Sequence, residues 1–135
     1  MSGESLAAAA EALAGTRFRL HGRDPETGLD CVGVLAAALA AIGRAAPLPN
    51  GYALRARKLD GLAAVARHCG FADADGPTMP GDVLLVRTAP CQFHLMIAVA
   101  KGRFIHAHAG LKRVVLLDRL PDWPICGRWR LNDQI

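Results

Sequence analysis

The chain has 135 residues, 52% hydrophobic and 21% charged, with a formal charge of +4. That length suits one domain spanning 1–135, with its own core, and is short for two; the apolar share excludes a disordered tail. Aromatics are only 5% and the basic residues are scattered, which argues against nucleic-acid binding, while the positive balance favours some other anionic partner.

Residues 1–15 are alanine-rich, with Ser2 or Ser5 as a cap and Gly15 as a stop, and they predict a first helix that extends the domain at its N-terminus. This segment carries Glu4 and Glu11 and no leading Lys or Arg, so it reads as a helix rather than a secretion signal. No stretch is long enough to span a bilayer. The expectation is a protein made in the cytoplasm without membrane insertion, carried outward by something else if it acts outside.

Residues 16–29 hold Gly22, Pro25 and Gly28 and predict a loop rather than an element of their own. Asp30 is a good N-cap for a helix over about 31–42, stopped by Gly43. Pro47, Pro49 and Gly51 mark a second loop. Leu59, Leu62, Ala63, Val65 and Ala66 have helical spacing, so 59–69 predicts another helix, closed by Gly70.

From Pro80-Gly81 the pattern changes. Short apolar runs predict strands over 82–87, 93–100, 103–108, 113–118 and 125–131, with a tight hairpin at Lys101-Gly102. Helices first and a meander after is the α+β order: N-terminal helices packed on a C-terminal antiparallel sheet of about five strands.

The chemistry-bearing residues fall in this frame. Cys31 would sit in the first turn of its helix, where unpaired N–H groups and the helix dipole favour a thiolate. Alternation puts His94, Met96 and Ala98 on one face of their strand, and His106 and His108 on one face of theirs. Across the hairpin His106 should lie near Ile97 or Met96, a few rungs from His94. A thiol and two histidines suit nucleophilic catalysis, in which a base serves the nucleophile and a third group orients the base. Asp82 reads as a buried structural acceptor, Cys69 and Cys126 as small core residues, and Trp123 and Trp129 as packing. A zinc set of Cys91, His94, His106 and His108 is the rival, but it leaves the Asp30-Cys31 helix start unexplained.

The runs Gly28-Leu-Asp-Cys-Val-Gly33, Pro80-Gly-Asp-Val-Leu-Leu85, His94-Leu-Met-Ile-Ala-Val99 and Gly102-Arg-Phe-Ile-His-Ala107 resemble the NlpC-type cysteine peptidases, a papain-like family of cell-wall hydrolases. The likeness covers about residues 16–130. The loop His21-Gly22-Arg23-Asp24-Pro25 is similar to small forms encoded in phage and gene-transfer-agent tail clusters. The resemblance implies a papain-like fold with Cys31 as nucleophile, His94 as base and His106 as the residue that orients His94. It implies an oxyanion held partly by the Cys31 N–H, and no metal or cofactor. Its substrate class would be peptidoglycan stem peptides, cut between D-glutamate and a diamino acid, and its partners would include phage-like tail proteins. The place of action would be the cell wall or periplasm, reached by a particle or by lysis.

Two positions depart from the family pattern. Val32 stands where a Ser is usual, and Phe18 stands near the place of a Tyr. With Asp30, those hydroxyls would grip the substrate's N-terminal side, so Asp30, Val32 and Phe18 are candidate substrate contacts. His21, Arg23 and His108 are candidates for the rim. The two lost hydroxyls also support an alternative: a weakly active or inactive structural or adaptor protein of a tail tip. A third reading, an acyltransferase of the same superfamily, fits less well because such proteins tend to place the histidine before the cysteine.

Overall fold

Leu6 and Ala10 lie one helical turn apart, so a helix through them has one apolar stripe. In this computed structural model, which describes residues 2–44, 66–90 and 92–132, that helix is α1, Ser2–Glu11, with both side chains fully buried. Gly15, at φ +89°, turns the chain and donates its N–H to Val114 O at 2.8 Å. No described helix is long and apolar enough to cross a membrane.

Residues 16–29 are more ordered than expected. Arg23–Asp24 (β1) and Gly28–Leu29 (β2) form a small antiparallel ribbon, closed by Asp24 accepting the N–H groups of Glu26 and Thr27. Asp24 supplies this turn through its side-chain and backbone oxygens, local chemistry that a reading of the glycines and proline alone overlooks. Helix α2, Cys31–Ala41, follows. Val32, Val34, Leu35, Ala38 and Leu39 are all buried, so α2 is covered on most sides, with α1 packed against it.

Among the described residues the main sheet has six strands rather than five. They are β3 (Phe71–Asp73), β4 (Val83–Ala89), β5 (Gln92–Ala98), β6 (Phe104–His108), β7 (Arg113–Leu117) and β8 (Ile125–Leu131). Their order is β3-β8-β4-β5-β6-β7, all antiparallel. The unexpected strand is β3, three residues too short to show alternation, fixed by pairing with the end of β8. The β5–β6 connection is wider than a two-residue hairpin: Ala100–Gly102 makes a 3-10 turn, closed by Val99 N–H on Arg103 O at 2.9 Å. The expected loop at Pro47, Pro49 and Gly51, and most of the helix over 59–69, lie outside the described residues; 66–68 are helical and Gly70 follows at φ +89°.

One sheet face, with Val83, Leu85, Ile97, Ile105 and Val114, packs in the same core as α1 and α2. The other carries Leu84, Val86, Met96, Ala98 and Phe104 under Leu117, Leu120 and Trp123. Trp129 is buried in the first core, so both tryptophans pack as expected. Asp82, just ahead of β4, is fully buried. It accepts the Met79 N–H at 2.9 Å, Arg128 at 3.1 Å and Arg130 at 2.7 Å, which makes it the structural acceptor the turn suggested.

A hydrogen-bonded path ties the sheet to the start of α2. Residues 15–18 run along β7, with Val114 N–H on Thr16 O at 2.7 Å and Phe18 N–H on Lys112 O at 2.9 Å. The same segment then pairs with β2, through Leu29 N–H on Arg17 O at 2.9 Å. Two residues after Leu29 comes Cys31.

Candidate active site

Asp30 has extended backbone angles (φ −94°, ψ −171°) and starts α2 as an N-cap. Its Oδ1 accepts Gly33 N–H at 2.8 Å and its Oδ2 accepts His21 N–H at 2.9 Å. One carboxylate thus holds both the helix start and the loop that crosses it. A Cβ on Gly33 would overlap the carbonyl oxygen of Gly22, so only glycine lets the loop lie this close.

Cys31 is a partly exposed residue with a buried thiol, packed at the edge of the main core. Burial is the largest influence and pushes the thiol up to about 11, and the charge of Asp30 adds to this. The N–H groups of Leu95, Val32 and Cys31 itself act the other way. This corrects the expectation of a thiolate: the helix start does favour one, but desolvation outweighs it. At neutral pH Cys31 is a thiol whose proton must be taken during any attack.

The Leu95 N–H that faces the sulfur belongs to the residue directly after His94. His94 lies in β5 opposite Val86 and is half-buried. In β6, His106 pairs with Met96, one of the two neighbours expected for it. The His94 and His106 rings meet edge to face with centroids 5.4 Å apart. His106 also packs on His108 at 5.5 Å and on Trp123 at 5.5 Å.

His106 is buried, and neither ring nitrogen makes a hydrogen bond among the described residues. Its contact with His94 is therefore a packing contact. Burial, with the charges of His94 and His108, lowers its pKa to about 4, so it is neutral at physiological pH. His108 is half-buried and its Nδ1 accepts Leu111 N–H at 3.0 Å.

Val32 is buried and does not line an open surface. Phe18 is half-buried against the main core. His21 is exposed at φ 61°, and Arg23 is half-buried in β1. Cys69 is buried, but Cys126 is exposed at the start of β8, contrary to a core placement. A register shift between Leu85 and Val86 where β8 meets β4 accompanies that exposure. Among the described residues no group of three or more His, Cys, Asp or Glu is placed to hold a metal ion. Cys91, one member of the zinc alternative, lies outside the described residues. The contribution that sequence reasoning missed is the Leu95 N–H, since a backbone donor leaves no signature in residue types.

Comparison with known proteins agrees with the fold. No curated protein matches the chain. Its fold is similar to that of NlpC1 from Trichomonas vaginalis (TM-score 0.70, 21% identity, 96% of this chain and 44% of that one). It is also similar to NlpC2 from the same organism (TM-score 0.69, 20% identity, 96% and 46%). The chain thus spans less than half the length of either. A third similar structure is the NlpC/p60 domain of the peptidoglycan hydrolase SagA (TM-score 0.54, 25% identity, 86% and 88%). The sequence profile of the NlpC/P60 family matches residues 15–119, from the turn after α1 to just beyond β7. With most of its length matched and the expected papain-like α+β fold, the chain belongs to the NlpC/P60 family.

Proposed function

We propose that the protein is a cysteine peptidase that hydrolyses amide bonds in peptidoglycan stem peptides, with the D-glutamyl–diamino acid bond as its target. Cys31 is the nucleophile, His94 the base and His106 the residue that positions His94. The observation that carries this reading is the Leu95 N–H turned toward the Cys31 sulfur, because it brings the thiol alongside the residue next to His94.

The chemistry follows from a thiol held protonated. His94 takes the Cys31 proton as sulfur attacks the carbonyl carbon, and the oxyanion gathers at the N–H groups of the helix start. Collapse breaks the C–N bond, and His94 returns the proton to the leaving amine. Water, with His94 again as base, then hydrolyses the thioester to a carboxylic acid and frees the thiol. His106 is neutral and packed edge-on, so it fixes the His94 ring by contact rather than by a charge. The place of action that fits is the cell wall, where such amides lie, and the tail-particle setting belongs to the same proposal.

A second reading has one observation in its favour. Val32 is buried and Phe18 packs on the core, so neither supplies a hydroxyl to a substrate. A tail-tip structural protein with little activity would tolerate that. Incubation with diamino-acid muropeptides, read by mass spectrometry with Cys31→Ala as control, separates the two. New fragments from the unaltered protein alone support the peptidase. Cleavage that persists in Cys31→Ala sinks the mechanism, and no cleavage of any muropeptide type favours the structural reading.

A further inference from the structure

Three neighbouring segments carry a row of basic residues beside the candidate site. On β6 and β7, His108 pairs directly with Arg113. Arg113 in turn bridges Arg17 of the segment that runs along β7. Directly opposed residues in antiparallel pairs share a face, so Arg17, Arg113 and His108 stand on the same side as His106, two residues from His108. Arg19 is two residues beyond Arg17, and Lys112 precedes Arg113 at φ 59°.

Arg17, Arg19, Lys112 and Arg113 are all exposed. No described carboxylate pairs with any of them, whereas Arg103, Arg128 and Arg130 are matched to Glu11 and Asp82. The nearby Asp30 has both oxygens engaged by His21 and Gly33. Like charges placed directly opposite one another destabilise a strand pair. The Arg17–Arg113 bridge is therefore an arrangement that gains from an anion laid across it.

We infer that this row is a subsite for a carboxylate of the peptide substrate. Strands lie about 4.8 Å apart, so the row runs roughly 10 Å from His108 to Arg17. An extended peptide advances about 3.3 Å per residue, so the row itself is about three residues long. The subsite makes the protein prefer peptides with free carboxylates over the same peptides amidated. This inference rests on the peptidase reading for its substrate, but its binding half is tested separately.

The probes are a stem tetrapeptide with free carboxylates and the same tetrapeptide with those groups amidated. Binding of each to the Cys31→Ala protein is measured by calorimetry at low and moderate salt. The free-carboxylate peptide should bind about tenfold more tightly at low salt, with the margin shrinking as salt rises. The Arg17→Gln/Arg113→Gln pair in the Cys31→Ala background should bring the two peptides to equal affinity, with its melting temperature showing that it is folded. Equal binding by the protein with both arginines, or a preference that survives their replacement, overturns the subsite. Turnover by the protein with Cys31 intact is followed in parallel: absent turnover with the binding preference intact defeats the peptidase reading and leaves the subsite standing.

Discussion

The carbonyl oxygen of Gly22 occupies the space that a side chain on Gly33 would need. The loop over the helix start and the helix itself are thus fitted to one another through two glycines, with Asp30 bonded to both sides. Gly33→Ala should push the loop away and cost about 1–3 kcal/mol, the usual penalty for overpacking. Because Cys31 lies two residues from Gly33, a shift near 1 Å should also lower turnover by about 10²-fold. Thermal unfolding and a muropeptide assay on the same preparation check both effects.

Asp82 tests the buried ion pairs of the sheet. Asp82→Ala leaves Arg128 and Arg130 facing each other without their buried carboxylate. The expected loss is about 3 kcal/mol, at the lower end for a broken buried pair because both arginines are partly exposed. Burial works to raise the Asp82 pKa, but Arg130, the Met79 N–H and Arg128 outweigh it and hold the carboxyl below the ordinary range. A depressed folded value gives stability that is present above the unfolded pKa and lost as pH falls through the folded one. Denaturant midpoints should therefore drop on acidification below about pH 4, and the Asp82→Ala protein should lack that part of the drop.

His106 separates stability from activity. Its ring is buried with no hydrogen-bond partner among the described residues, so His106→Leu removes two unsatisfied groups and should stabilise the fold by about 1 kcal/mol. If His106 positions His94, the same change should cut turnover by about 10²-fold or more. The His106 pKa is lowered from 6.5 to about 4, so its contribution to stability is present above 6.5 and lost as pH falls toward 4. The pH dependence of unfolding should be flatter across that window in His106→Leu. A destabilised variant with full turnover would contradict both halves.

Thiol chemistry checks the burial of Cys31. With its pKa near 11, iodoacetamide should modify Cys31 slowly at pH 7, with a rate that climbs until it levels near pH 11. Cys126, which is exposed, should be modified first at neutral pH. Peptide mapping of labelled samples reads both rates. The raised value also means that folding stability tied to this thiol is intact below the ordinary 9.0 and lost as pH rises through 11.

The parts of the site visible in the sequence are those fixed by local chemistry. Asp30 announces a helix start by its type and place, and alternation groups His94 with Met96 on one face of their strand and His106 with His108 on one face of theirs. Strand pairing across a short turn then brings their rings together. What stayed hidden depends on distant chain. The burial of Cys31 comes from the assembled core, and the Leu95 N–H that reaches its sulfur lies in β5, far along the sequence from its own helix. β3 exists because β8 offers it a partner, and the Arg17–Arg113 bridge arises only after β7 has folded. Cys126 reads as a core residue because it falls in a strand, yet it is exposed where β8 begins and its register on β4 shifts.

The run of residues 15–18 along β7 has one more consequence. The outer strands of an open sheet present unpaired N–H and C=O groups on which another chain can build, a route to aggregation. Here the start of the β7 margin, from Lys112 to Val114, is occupied by the protein's own chain, and the opposite margin is only three residues long. The strap that seats the cysteine helix therefore also protects the molecule from sticking to its copies.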